Sequence, residues 1–308
     1  MLCACVDIGT NTTRLLVAER DGSRLREVVA VRRFLHIAPG DDGAIPADAV
    51  AALAATVAAH VRLAREHAVH EVRVVGTAAI RGARNRDDLC AAVQRAAGVR
   101  VEVLTGEQEA ALAFAGALAT LTHPPAGPIG VIDVGGGSSE LVIGTAAGGV
   151  TWWTSLPIGS GTLAERHLHS DPPRREELAA LADEVRAIIA EGVPVEVRKS
   201  VVAAVGVAGT ATSCAAIAQE LDPYDPARVQ GYRLEAGALE LMLARLAELD
   251  LERRRHVTGL HPDRAPTIVA GVVILLEALR AFGLDEVEVS EHDILWGAAL
   301  TVAADTAG

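Results

Sequence analysis

The chain opens on an apolar run, Leu2–Val6, is broken by a polar turn at Asp7–Thr12, and turns apolar again over Leu15–Ala18. A further apolar stretch, Val28–Phe34, follows Asp21-Gly22. Short apolar runs divided by Gly, Asp and Asn predict strands joined by turns. The period then changes. From Ala47 to His67 one face carries Ala, Leu and Val, which predicts a long helix. A strand at Val72–Val75 ends at Gly76, and a helix near Asp87–Ala97 stops at Gly98. A strand over Val99–Leu104 and a helix from about Glu107 to Leu121 follow. The segment HPPAGP, His123–Pro128, is a stiff connector and the natural domain boundary.

The second half repeats this grammar. Ile129–Ile132 predicts a strand, Asp133–Ser138 a turn, and Leu141–Ile143 and Val150–Ser155 two more strands. A long helix is expected near Arg174–Glu191, started by Pro172-Pro173. A strand at Val201–Val207 runs into Gly209-Thr210. Helices near Glu235–Glu248 and Ala265–Phe282, a strand at Val287–Val289 and a helix near Asp293–Ala304 complete the chain. The parallel holds residue by residue. Asp7–Leu15 aligns with Asp133–Leu141 at a constant offset of 126, and Val74–Ala79 aligns with Val207–Thr212 at an offset of 133. Two motifs in the same order imply an internal duplication. The expected fold is therefore α/β in two duplicated domains, residues 1–122 and 123–291.

Composition narrows the chemistry. Half of the 308 residues are hydrophobic and mean hydropathy is +0.29, yet aromatics are only 3%, so the core must be aliphatic. Acidic residues outnumber basic ones 40 to 28, a net charge of -12. Neither a basic surface nor stacking aromatics are abundant, so a nucleic-acid partner is not expected. Lys199 is the single lysine, in VEVRKS with no glycine loop before it, which excludes a Walker-type phosphate loop. Cys3, Cys5, Cys90 and Cys214 have no metal-site spacing and read as small buried hydrophobes in a reducing cytoplasm. The N-terminus lacks a basic leader, and the longest apolar run, Ile268–Leu276, is shorter than the roughly 20 residues of a membrane span. A cytoplasmic protein without a membrane partner is expected.

The two DxG turns carry the candidate chemistry. Glycine allows close backbone approach, and successive amides can then cradle a phosphate. Thr10, Thr12, Ser138 and Ser139 add hydroxyls, and the aspartate heading each turn, Asp7 or Asp133, can hold a metal or its water. DVGGGSSE is the stronger of the pair, because three glycines exceed the need of a plain hairpin. A Gly-Thr step after a strand and before a helix, at Gly76-Thr77 and Gly209-Thr210, offers an anion site at the helix start. The histidine pairs His67/His70 and His167/His169 read as exposed helix residues, and Arg253–Arg255 as a solvated helix end.

These features together resemble the actin, Hsp70 and sugar kinase superfamily. Within it the chain is similar to the exopolyphosphatase and guanosine pentaphosphate phosphatase (Ppx/GppA) family. DIGTNTTRLLVAE, GTAAIRGARN, LTGEQEAALAFAGAL, DVGGGSSELVIG, SLPIGSGTLAERH, GVAGTATSCAA, GLHPDRAPTIVAGVVIL and VSEHDILWG carry the resemblance, in family order and across almost the whole chain. It implies two actin-like (ribonuclease H-like) domains with a cleft between them, and a C-terminal helix, 292–308, packed back on the first domain. The implied reaction is hydrolysis of the terminal phosphoanhydride of inorganic polyphosphate, or alternatively of guanosine pentaphosphate (pppGpp). A sugar kinase-like phosphotransferase and a non-catalytic polyphosphate sensor are the remaining readings.

The resemblance also assigns roles. Glu109 would be the catalytic base, with Glu107 the weaker candidate, and Glu140 a water or metal partner. Asp7 and Asp133 would hold Mg²⁺ or Mn²⁺. Phosphate would fall to Thr10, Asn11, Thr12, Arg14, Arg81, Arg84, Gly135, Gly136, Gly137, Ser138, Ser139, Gly209, Thr210 and Arg264, since bidentate guanidinium suits phosphate. Arg86 reads as surface. A homodimer is implied as well. Two departures are visible: the added helical region of longer members is missing, which implies a preference for short chains, and Pro266 stands where an acidic residue is frequent.

Overall fold

A computed structural model of the chain describes residues 2–21, 24–40, 42–69, 71–119, 121 and 124–305. It divides into two compact units: residues 1–119 with 293–308, and residues 120–292. His70, His123 and Gly22, named above, lie outside the described residues.

The first unit begins with an antiparallel meander, β1 (Leu2–Ile8), β2 (Thr12–Asp21) and β3 (Arg24–Phe34). Helix α1 (Ala47–Glu66) crosses over to β4 (Val72–Gly76), which lies parallel to β1. Helices α2 (Ala78–Gly82) and α3 (Arg86–Ala97) lead to β5 (Val101–Val103), and α4 (Gly106–Leu118) follows. The sheet order is β3-β2-β1-β4-β5. β1 reads as a continuous apolar run because both its faces are covered. Ala4, Val6 and Ile8 join the core shared with α1 and α3, while Cys3 and Cys5 face the other side. By length and composition alone, alanine-rich α1 meets the requirement for a membrane span. Its Leu53, Val57, His60 and Val61 are instead buried in this core.

The second unit repeats the plan. Strands β6 (Ile129–Val134), β7 (Ser139–Thr145) and β8 (Gly149–Leu156) form the meander. Helices α5 (Ser160–His167), α6 (Arg175–Gly192) and α7 (Val195–Ser200) precede β9 (Ala203–Val207), parallel to β6. Then come α8 (Ala208–Ala218), α9 (Pro226–Val229), β10 (Arg233–Glu235), α10 (Ala236–Ala247) and α11 (Leu251–Arg254). A 3-10 turn at Pro262–Arg264, helix α12 (Ile268–Phe282) and β11 (Glu286–Val289) finish it. The order β8-β7-β6-β9-β11 matches β3-β2-β1-β4-β5, with β10 added at the edge. The chain then re-enters the first unit as α13 (Ile294–Asp305), which covers Cys3 and Cys5 together with α4.

Four local expectations need correction. Pro172 and Pro173 precede the N-cap of α6, Arg174, rather than starting the helix. Gly209 and Thr210 lie inside the first turn of α8, which already begins at Ala208. Arg254 is not solvated: it is 3% exposed and donates to the carbonyls of Leu246, Leu249 and Ala265, bracing the end of α10. Its neighbours Arg253 and Arg255 form surface pairs, with Asp250 and Glu252. His167 is half-buried against Glu184 rather than exposed.

Candidate active site

The two turns share one backbone frame. Gly9 N–H donates to Thr12 O at 3.0 Å, and Gly135 N–H to Ser138 O at 3.0 Å. In the first turn Thr10 O accepts from Ile37 N–H (2.8 Å) and Asn11 O from Leu35 N–H (3.0 Å). In the second, Gly135 O accepts from Ser160 N–H (2.9 Å), and Gly136 O from Gly161 N–H (2.9 Å) and Thr162 N–H (3.1 Å). A planar trans peptide points its N–H opposite its C=O. Carbonyls drawn to one side therefore turn the amides of Asn11 and Thr12, and of Gly136 and Gly137, to the other. Such successive amides make an anion-binding nest. Close approach explains two glycines. A Cβ on Gly135 would lie 2.8 Å from Ser138 O, and one on Gly159 only 2.3 Å from Gly136 O. Asn11 Oδ1 is engaged by His36 Nδ1 at 2.7 Å.

The strand registers set a row of side chains beside each turn. In the first unit Asp7 pairs across to Arg14, and Arg14 to Arg32. In the second, Asp133 pairs to Glu140, and Glu140 to Ser155. Arg14 donates through Nε (3.1 Å) and Nη2 (2.6 Å) to Asp7 Oδ2, and through Nη1 to Asp293 Oδ2. Burial works against the Arg14 charge, but Asp293 and Asp7 outweigh it and hold the guanidinium firmly protonated. Asp7 is 3% exposed. Burial, opposed by Arg14 and aided by Asp293, pushes its carboxyl above the usual range. Its Oδ1 is buried with no hydrogen-bond partner among the described residues.

In the second row the registered neighbours of Asp133 are Glu140 and then Ser155, where the first row has two arginines. Asp133 and Glu140 stand directly opposite, an arrangement with Cβ atoms roughly 4.5–5.5 Å apart that disfavours two like charges. Glu140 Oε1 accepts from Ser138 Oγ (2.8 Å) and Ser155 Oγ (2.7 Å), which fixes the carboxylate. Two hard oxygen donors at the mouth of an amide nest suit Mg²⁺, which takes one or two carboxylates and completes its shell with water and phosphate. The donor set fits. The described residues contain no cluster of three or more His, Cys, Asp or Glu able to hold a metal without such help.

The Gly-Thr steps tie each turn to the next element. Thr77 Oγ donates to Ile8 O (3.2 Å) and Thr210 Oγ to Val134 O (3.3 Å), the same bond in both units. Gly209 has a second reason to lack a side chain: its Cβ would fall 1.8 Å from Nη2 of Arg264. The guanidinium thus lies flat on the first turn of α8. Cys214, buried in the same helix, has its thiol pushed up to about 12 by burial, against the pull of Arg264.

Glu109 sits in the first turn of α4. Thr105 caps this helix in a reciprocal box with Gln108, so the turn is rigid. Glu109 is 8% exposed and its Oε2 accepts from Arg81 Nη1 at 2.7 Å; the same nitrogen donates to Leu104 O at 2.9 Å. Glu107 is exposed. Arg84 is exposed and pairs with Asp42, and Arg86 with Asp87. The structure therefore groups Asp7 with Arg14, Arg81 with Glu109, the Gly135–Ser139 turn with Asp133 and Glu140, and Gly209 and Thr210 with Arg264. Asp293 and Ser155 were missed. Ser155 becomes readable only once the β7–β8 register is known, and Asp293 lies 279 residues from Arg14.

The Ppx/GppA phosphatase family matches residues 15–297. The chain belongs to that family. Exopolyphosphatase 2 of Mycobacterium tuberculosis is 35% identical over 97% of this chain and 98% of its own length. Exopolyphosphatase 1 of Mycobacterium bovis is 30% identical over 94% of this chain and 84% of its own. Among solved structures, the Aquifex aeolicus Ppx/GppA family member superposes with a TM-score of 0.87 at 30% identity, covering 100% of this chain and 99% of that one. These likenesses bear out the two-unit actin-like fold and the family expected from the motifs.

Proposed function

We propose that this Ppx/GppA protein is an exopolyphosphatase that removes the terminal phosphate of inorganic polyphosphate with a divalent cation. The observation that supports the reading most is the second turn: an amide nest beside two carboxylates, Asp133 and Glu140, opposed in register. Asp133 and Glu140 would hold Mg²⁺ or Mn²⁺, and Asp7, whose Oδ1 has no hydrogen-bond partner among the described residues, is the carboxylate that the first unit offers. Bound there, the cation neutralises the charge on phosphate oxygens.

The protein's own groups do the rest. The Gly136 and Gly137 amides and the Ser138 hydroxyl bind phosphate oxygens, and Arg264 with the first turn of α8 binds a neighbouring phosphate. Glu109 orients a water and takes its proton as the water oxygen attacks the terminal phosphorus. The bridging P–O bond breaks, and the shortened chain leaves. Arg81 holds the Glu109 carboxylate in place until then.

The test is release of orthophosphate from polyphosphates of defined length and from pppGpp, side by side, with and without Mg²⁺. Glu109→Gln should lower turnover by about 10²–10⁴ while polyphosphate binding is kept, the range for loss of a general base. Wild-type turnover in that variant, or full activity in excess chelator, defeats the reading. Faster release from pppGpp would select the alarmone instead.

A further inference from the structure

The segment VSEHDILWG has no role in the chemistry above, yet its aspartate occupies a singular place. Asp293 is the residue at which the chain re-enters the first unit. Three bonds converge on it. Its Oδ1 accepts from Leu295 N–H at 3.0 Å, capping α13. Its carbonyl accepts from Gly297 N–H at 3.0 Å, the first bond of that helix. Its Oδ2 accepts from Arg14 Nη1, and Arg14 in turn grips Asp7.

Asp293 is also wedged against α4. A Cβ on Gly116 would meet Asp293 O at 1.9 Å, and one on Gly297 would meet Leu112 O at 1.9 Å. Two glycines thus let α4 and α13 touch backbone to backbone at this residue. Leu112 and Gly116 fall three and seven positions after Glu109, on the same face of α4. The contact that seats Asp293 therefore also fixes the rotation of the helix that presents Glu109.

We propose that Asp293 is a positioning residue: through Arg14 and Asp7 it holds the first turn, and through Gly116 it holds the Glu109 helix, in a single register. The inference rests on the hydrolase reading above. Asp293 touches no substrate. Its side chain, 2% exposed, is turned to Arg14.

The charge count supplies a clean test. Asp7, Arg14 and Asp293 sum to one negative charge, so Asp293→Asn leaves a balanced Asp7–Arg14 pair; its oxygen can still cap α13, but its amide N–H then faces Arg14. That variant should lose part of its thermal stability, less than Asp293→Ala, and keep its KM for tripolyphosphate within about twofold. Its kcat should fall on the order of tenfold or more, the size of effect expected from a sub-ångström misplacement of reacting groups. Asp293→Ala loses the cap as well, so its midpoint should drop while kcat falls no further. The proposal is overturned if Asp293→Asn has wild-type kcat, if it raises KM instead, or if kcat merely tracks thermal stability across the two variants. An unfolded Asp293→Asn protein overturns it too, since Asp293 would then be a keystone of the fold. A wild-type protein that releases no phosphate counts against the hydrolase reading and is distinguishable from all of these.

Discussion

The two turns have the same backbone and opposite electrostatics. Both tie a glycine amide to a carbonyl three residues on, and both turn carbonyls aside so that amides face the other way. Two residues outside each turn on either side, strand register puts Asp7 opposite Arg14 but Asp133 opposite Glu140. The first turn thus carries its own cation, locked between two buried carboxylates. The second carries two anions and a pair of serines. Duplication kept the phosphate-shaped backbone, and one substitution in register separated the roles. The aspartate of the first turn faces a cation in register, and that of the second faces a carboxylate.

Removing the internal cation is the most severe way to test this contrast. Arg14→Gln leaves Asp7 and Asp293 buried without their partner, and urea unfolding should show a loss of about 3–5 kcal/mol, the usual result of breaking a buried pair. A loss under about 1 kcal/mol would mean that the first turn does not depend on its ion pair. The matching change in the second turn should behave in the reverse sense. Glu140→Gln removes a like-charge pair, so unfolding in the absence of metal should be unchanged or slightly harder, by about 0.2–1 kcal/mol. Activity should then need at least tenfold more Mg²⁺. An unaltered Mg²⁺ dependence would break the comparison.

The smallest effect concerns acid. His60 of α1 is 3% exposed behind the first turn, and burial lowers its pKa despite a bond to the Thr13 backbone. Its Nε2 has no partner among the described residues. Because the unfolded chain binds this proton more readily, stability is complete above the usual histidine value of about 6.5 and declines as pH falls below it, toward the lowered folded value. Amide exchange in β1 and β2 should accelerate over that window, and His60→Gln should flatten the dependence. Equal acid sensitivity in β6 and β7 would show that the first unit is not special.

Much of this was legible before any coordinates. The apolar runs located the strands of both meanders, because a strand covered on both faces has no alternative to burying nearly every residue. The offsets of 126 and 133 predicted corresponding sheets, and the Thr77 and Thr210 bonds show that the correspondence reaches single hydroxyls. Short helices were not legible. α2 spans five residues and α5 eight, less than the window over which helical period can be recognised, and α5 is held by the Gly135 and Gly136 carbonyls rather than by its own pattern. Arg254 was misread for a related reason: three consecutive arginines look alike in sequence, and only the fold points one of them inward.

Local order along the chain determined which residue types stand at each turn, since glycine spacing, hydroxyls and the leading aspartate act over a few residues. The partner of each charge was decided by tertiary structure. Arg14 and Glu140 occupy equivalent places and both resembled site residues. That one meets a carboxylate 279 residues away while the other meets Ser155 follows from strand register and from where the C-terminal helix returns. Coulomb energy depends on distance in space, and sequence separation sets that distance only within a turn or two.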